Sequence, residues 1–271
     1  MTGKIDRKVL GILGVGKMGG AILDGVLASE VFPKSDILIC DHKESTMRKY
    51  SALGVGIAQS EKELLNNSDI FMLAIKPQGF SAIEGLLGTH CEGKAVVSLA
   101  PGKKVSFLES LFKGALVVRA MPNTPALVRH AATTLFANGK GDVGLLEHVK
   151  RIFSSIGTFE FLEKEEMMDI AIPVNGSMPA YLFSFIREFV EKAVQEGIGR
   201  QTATSLCVNS IIGSCKLLQS SDDDLDTLIS NVCSKGGTTI AGLDGMYGNG
   251  FKESIGACYD ACVARSIELA K

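Results

Sequence analysis

A short apolar run, Lys8-Val9-Leu10-Gly11-Ile12-Leu13, ends in Gly14-Val15-Gly16-Lys17-Met18-Gly19. The pattern then switches to helical spacing, with Met18, Ile22 and Val26 on one face. Buried strand, glycine turn and helix in that order leave few folds open, because they form the first half of a βαβ unit. Gly14 permits the tight turn, Gly16 lets backbone approach a phosphate, and Gly19 lets helix and strand pack closely. The amides at the helix start, around Lys17 and Met18, then face a dinucleotide pyrophosphate. A glycine turn that serves structure alone is the plainer alternative.

The following segments repeat the alternation. Strand-like runs at 36–40, 56–58, 68–75, 94–99 and 115–120 are separated by helical or turn segments. Most stop at turn chemistry: Asp41, Lys76-Pro77, Ala100-Pro101-Gly102 and Met121-Pro122. Further strands are expected at 133–136 and 158–161. Such an order implies an α/β fold, a Rossmann-type doubly wound and largely parallel sheet that binds ligands at its carboxyl ends.

Beyond about Lys164 the strand signal stops. Helices are expected at 179–195, at 202–219, from the acidic run Asp222-Asp223-Asp224, from near Gly237, and at 251–269. They carry too much apolar surface for roughly a hundred residues to cover, so burial against a second copy is expected. A compact monomeric bundle is the alternative. The division is thus 1–164, a dinucleotide-binding domain, and 165–271, an all-helical dimerisation and substrate-binding domain.

Composition narrows the function classes. A net charge of -2 with no dense Lys/Arg tract argues against nucleic acid as a partner. No stretch is long enough to span a bilayer, and Lys4, Asp6, Arg7 and Lys8 do not resemble a signal peptide, so a cytoplasmic, soluble protein is expected. The seven cysteines lack any C-x-x-C spacing and read as buried small hydrophobes. The four histidines are scattered, so no metal site is expected.

The choice of nicotinamide cofactor stays open, NADPH or NADH. Asp41 lies about 20 residues past Gly19, where an acid binds a ribose 2′-hydroxyl, but His42 and Lys43 follow and can pair with a 2′-phosphate. A second glycine-rich stretch, Ser234-Lys235-Gly236-Gly237-Thr238-Thr239, offers amides and hydroxyls suited to a small carboxylate. Helix capping by Thr238 or Thr239 would use the same hydroxyls.

Several blocks together resemble the pyrroline-5-carboxylate reductase family. They are the amino-terminal glycine block, Leu73-Ala74-Ile75-Lys76-Pro77-Gln78, Val118-Arg119-Ala120-Met121-Pro122-Asn123-Thr124-Pro125, Gly176-Ser177-Met178-Pro179-Ala180-Tyr181, and Val232 through Leu243. They run in family order across nearly the whole chain. The resemblance implies reduction of 1-pyrroline-5-carboxylate to L-proline, a helical domain interleaved with its twin, and dimers that build larger rings such as a decamer. It places Ala74, Lys76, Pro77 and Asn123 at the cofactor, beside Gly14, Gly16, Lys17, Met18, Gly19, Asp41, His42 and Lys43. It gives the substrate carboxylate to Ser234, Gly236, Gly237 and Thr238, and the ring nitrogen to Thr239 as catalytic residue. The chain departs from the family pattern at Lys235 (usually Pro), Met178 (usually Gly) and Asn175 (usually Ser). A reductase of another small cyclic imine or oxo acid, or a non-catalytic dinucleotide-binding regulatory protein, is the alternative.

Overall fold

A computed structural model of the chain describes residues 7–269, apart from the side chains of Pro77, Ala82 and Glu84. Its strands are β1 (Leu10–Leu13), β2 (Ile37–Cys40), β3 (Gly56–Ile57), β4 (Ile70–Leu73), β5 (Thr89–His90), β6 (Ala95–Ser98), β7 (Phe112–Lys113), β8 (Leu116–Met121), β9 (Ala131–Ala137) and β10 (Gly157–Phe161). The first six helices are α1 (Lys17–Ala28), α2 (Glu44–Ser51), α3 (Glu61–Asn66), α4 (Val105–Leu111), α5 (Val143–Ser154) and α6 (Met167–Ala171).

Eight strands form one sheet in the order β10-β9-β8-β6-β4-β1-β2-β3. From β3 to β8 every neighbouring pair is parallel, the strand order of a dinucleotide-binding sheet. β9 runs antiparallel to β8, and β10 runs parallel to β9. β1 sits between β2 and β4, Leu10 pairing with both Ile37 and Ile70. That is the switch point of the topology, where a crevice opens at the carboxyl ends of the strands.

The central strands are buried along their whole length, as their unbroken apolar sequences require. On one face Leu10, Ile12, Ile70 and Met72 pack with Ile22 and Val26 of α1 and with Val149 and Ile152 of α5. On the other, Leu13, Phe71, Leu73 and Val96 meet Leu64, Phe80 and Leu108. Each such side chain contributes about 1.5–3 kcal/mol by leaving water.

The chain forms two compact units. One runs to Pro179 and takes in the segment from Val263; the other is Ala180–Cys262. The remaining helices are α7 (Met178–Gln195), α8 (Arg200–Ser220), α9 (Leu225–Val232), α10 (Thr238–Gly248) and α11 (Phe251–Leu269). The acidic run at 222–224 opens α9 by a specific bond: Asp224 is the N-cap and accepts the Thr227 amide at 2.8 Å. That bond holds the Asp224 carboxyl below its ordinary pKa.

Within Ala180–Cys262 only Val190 and Ala203 are buried among the described residues. Phe183, Phe189, Leu206, Leu217, Leu225 and Val232 all face outward. Helices of this apolarity need cover that one chain does not give, which is the signature of self-association. The cysteines follow the same division and correct the expectation that all are buried. Cys40 and Cys91 are buried in the sheet unit, whereas Cys207, Cys233, Cys258 and Cys262 are half-buried and Cys215 is exposed. No described helix is long and apolar enough to cross a membrane.

Candidate active site

The glycine turn leaves β1 at the switch point and enters α1, and its three glycines have three separate reasons. Gly14 has φ +88°, and a Cβ there would lie 2.9 Å from the Ala74 carbonyl oxygen at the end of β4. A Cβ on Gly19 would stand 2.1 Å from the Gly14 oxygen and 2.9 Å from the Ala74 Cβ, so this position carries the helix–strand approach. Gly16 is different: nothing lies within 4 Å of where its Cβ would be. The space is open, and a side chain would fill it. Gly16 is also the N-cap of α1, with no side chain bonded to the helix amides and no acidic residue in the first turn. Unclaimed amides facing an open cradle fit a dinucleotide pyrophosphate. Lys17 is exposed and Met18 half-buried at the same helix start.

Asp41 serves the turn from below. Its Oδ2 accepts the Val15 amide at 2.6 Å and its Oδ1 accepts the Lys43 amide at 2.8 Å. The side chain is 5% exposed, while the neighbouring His42 side chain is 85% exposed. The spacing that suggested a ribose ligand therefore delivers a brace between two loops, and the acid is turned inward. His42 and Lys43 are the side chains left facing solvent at the end of β2.

At the end of β8, Asn123 is 7% exposed, and both atoms of its amide are bonded within the protein. Its Nδ2 donates to the Asn175 carbonyl at 3.0 Å, and its Oδ1 accepts the Ala132 amide at 3.0 Å. Asn175 answers by donating to the Met121 carbonyl at 2.8 Å and to Thr134 Oγ1 at 3.3 Å. The two asparagines tie the loop before α7 to the sheet, so Asn123 holds the loop in place rather than presenting its amide to a ligand. In the sequence Asn175 stands out only as a departure from the family pattern. Arg119 is a further positioning residue, a buried cation in β8 that donates to Glu165 at 2.6 Å, the same oxygen taking the Val105 amide at 2.7 Å. A charge inside an apolar strand was the available signal, since it demands a partner. Lys76 is exposed beyond β4 and its carbonyl closes a turn with the Gly79 amide at 2.8 Å. Pro77 begins the next 3-10 stretch, and its side chain lies outside the described residues.

In the helical unit, residues 234–237 form a tight turn closed by the Gly237 amide on the Ser234 carbonyl at 2.8 Å, with Gly236 at φ +70°. The Gly237 amide is thereby spent. The open donors begin one residue later, at Thr238 and Thr239 in the first turn of α10. Gly237 is the N-cap and no side chain caps the helix, so neither threonine hydroxyl performs that task. Ser234, Lys235 and Thr238 are exposed, and Thr239 is half-buried beside Leu218, Leu225, Val232 and Leu243.

Comparison with known proteins agrees with both halves. Residues 165–269 match the family model for pyrroline-5-carboxylate reductase dimerisation, and residues 9–102 match a model for coenzyme F420-dependent NADP oxidoreductases. The chain is 30% identical over 268 residues to the pyrroline-5-carboxylate reductase of Escherichia coli, covering 98% of this chain and 99% of that one. The structure of a pyrroline-5-carboxylate reductase from Coxiella burnetii superposes with a TM-score of 0.91 at 27% identity, covering 98% and 100% of the two chains. That of the Plasmodium falciparum pyrroline carboxylate reductase with NADP bound gives 0.83 at 27% identity, covering 97% and 98%. With an open glycine cradle at the switch point, an uncapped amide turn in a helical unit, and full-length similarity to these enzymes, the chain belongs to the pyrroline-5-carboxylate reductase family.

Proposed function

We propose that this chain reduces the C=N bond of 1-pyrroline-5-carboxylate to give L-proline, using NAD(P)H. The observation that carries the reading is the pair of unclaimed amide sets, one at α1 beneath the open Gly16 and one at α10 beyond Gly237. The first suits a diphosphate; the second suits a small carboxylate. The nicotinamide supplies the hydride when bound. The Thr238 and Thr239 amides grip the substrate carboxylate, Ser234 and Gly236 shape the turn around it, and the Thr239 hydroxyl bonds the ring nitrogen. A protonated imine is already electrophilic, so orientation is the main task of these residues.

Residues 1–164 carry the nucleotide, and residues 165–271 carry the substrate turn and the self-association surface. The assembly is a dimer through the uncovered helices, built further into a ring such as a decamer, in the cytoplasm. The test is steady-state oxidation of NADPH and NADH with five- and six-membered cyclic imino acids. Turnover of the five-membered imine supports the proposal. Turnover confined to the six-membered ring assigns a different substrate, and nucleotide binding without any turnover assigns a regulatory protein.

NADPH is the preferred donor. With both Asp41 oxygens committed to backbone amides, no outward acid repels a 2′-phosphate, and Lys43 and His42 stand ready to meet it. A charge-assisted bond of this kind changes affinity about tenfold or more. kcat/KM for NADPH is therefore expected to exceed that for NADH about tenfold. Lys43→Gln should raise the KM for NADPH about tenfold and leave the NADH constants within about twofold. Equal use of the two donors, or a variant without effect, removes Lys43 from this role.

A further inference from the structure

Strand order decides where each half of an extended dinucleotide lies. The α1 amides stand at the carboxyl end of β1, and Lys43 and His42, proposed above to meet the 2′-phosphate, follow β2 on one side of it. The other half then runs the opposite way, over the ends of β4, β6 and β8, which lie in that order beyond β1. The loop from β6 to α4, residues 99–104, and the end of β8 form the floor beneath the nicotinamide half.

Glu165 anchors both parts of that floor. Its Oε1 accepts Arg119 Nη1 at 2.6 Å and the Val105 amide at 2.7 Å. Val105 is the first residue of α4, and the side chain of the N-cap, Lys104, bonds none of the helix amides. A carboxylate 60 residues along the chain does the capping instead. Arg119 is 4% exposed and pairs in register with Ser98 of β6, whose Oγ accepts the Ala100 amide at 3.3 Å. The end of β8 and the start of α4 are thus joined through a single carboxylate oxygen.

The segment that carries Glu165 is itself held. Further on, in α6, Asp169 Oδ1 accepts Ser266 Oγ at 2.6 Å from near the end of α11, and both residues belong to the unit that contains the sheet. An ion pair that served stability alone would need only its two charges to meet. Here the oxygen is divided between a buried cation and a loop amide, so a shift of Glu165 shifts both.

We infer that Glu165 is a positioning residue for hydride transfer: through the Val105 amide and Arg119 it sets the level of the floor under the nicotinamide half. The inference rests on the reduction proposed above, in which a hydride passes from the dihydronicotinamide to the imine carbon. The C=N π pair moves onto the protonated nitrogen as the new C–H bond forms. Donor and acceptor carbons must meet at a fixed approach, and a small misplacement slows such a step steeply.

The test uses the full chain, with hydrogen–deuterium exchange in NADP⁺ and steady-state kinetics with NADPH. In the wild type NADP⁺ is expected to slow exchange at residues 14–19 and at 99–105. Val105→Pro deletes the amide alone: proline suits the first residue of a helix, and Lys104 before it has φ -70° and ψ 156°, which proline tolerates. The paired substitution Arg119→Met with Glu165→Leu is the second variant, and it leaves no buried charge unpaired. Each should keep protection at 14–19, lose it at 99–105, and lower kcat about 10- to 100-fold with the Kd for NADPH within about threefold. With NADPH deuterated at the transferred position, the isotope effect on kcat should rise, because a slowed hydride step limits turnover. A smaller folded fraction would not move it. Absence of NADP⁺ protection at 99–105 in the wild type, wild-type kcat in both variants, or a loss of NADPH affinity that accounts for the fall in rate overturns the inference. Should the wild type reduce no cyclic imine, the reduction reading fails by itself, and the exchange result, which needs no substrate, still supports or overturns the anchoring by Glu165.

Discussion

Gly16→Val should fold and fail to bind NADPH. No atom lies within 4 Å of the new Cβ, and Gly16 has φ -74° and ψ -156°, a backbone open to any residue. Losing glycine at an N-cap costs about 1 kcal/mol, a fall of about 2–4 °C in Tm for a chain of this size. The isopropyl group instead takes the space of the diphosphate and separates it from the α1 amides. Losing two charge-assisted hydrogen bonds amounts to about 3 kcal/mol or more, so the Kd for NADPH should rise at least about 100-fold. Gly19→Ala is the contrasting variant. Its Cβ would lie 2.1 Å from the Gly14 oxygen, so α1 must move away from β1 and stability falls by at least about 1–3 kcal/mol. Thermal unfolding and nucleotide titration of both proteins separate a cradle from a packing contact. Retained NADPH affinity in Gly16→Val would mean that the nucleotide lies elsewhere.

The contrast between these glycines also shows how far a one-dimensional pattern reaches. The spacing places all three at the junction of strand and helix, because the strand, turn and helix that frame them are consecutive in the chain. The strands were legible for a similar reason: runs such as Ile70–Leu73 are buried on both faces, so their apolarity is continuous. Strand direction was not. Nothing in residues 131–137 tells that β9 runs against β8, since alternation is the same either way. Helix α5 is hard to read from sequence although Leu145, His148, Val149, Ile152 and Phe153 form its buried face, because a histidine interrupts the apolar stripe.

Side-chain roles were harder still. Asp41 stands at the spacing of a ribose acid, but whether its carboxylate points outward depends on the Val15 amide, which comes from another loop. Asn123 and Asn175 meet across 52 residues, and no periodicity joins them. The apolar helices beyond Pro179 were the opposite case. Their lack of a polar face was visible in sequence, and in the structure nearly all of Ala180–Cys262 remains unburied.

Thr239→Val should lower kcat by about 10- to 100-fold while the Kd for NADPH stays within about twofold. The size follows from one hydrogen bond to a charged group, about 1.5–3 kcal/mol. Valine keeps the shape and the branched Cβ, and the surroundings accept it, because Thr239 already borders Leu218, Leu225, Val232 and Leu243. The competing role is helix capping, which predicts lost stability and unaltered turnover. That role is weak here: Gly237 is the N-cap, no side chain bonds the α10 amides, and Thr239 Oγ1 has no hydrogen-bond partner among the described residues. An unpartnered hydroxyl at a helix start is free to serve a ligand. Thr239→Ser restores the oxygen and should recover kcat to within a few-fold, whereas Thr239→Ala, which relieves any clash of the valine methyl but supplies no oxygen, should stay about as slow as valine. Wild-type kcat in Thr239→Val, measured at saturating NADPH and imine, would leave the substrate nitrogen to water or to the carboxylate grip alone.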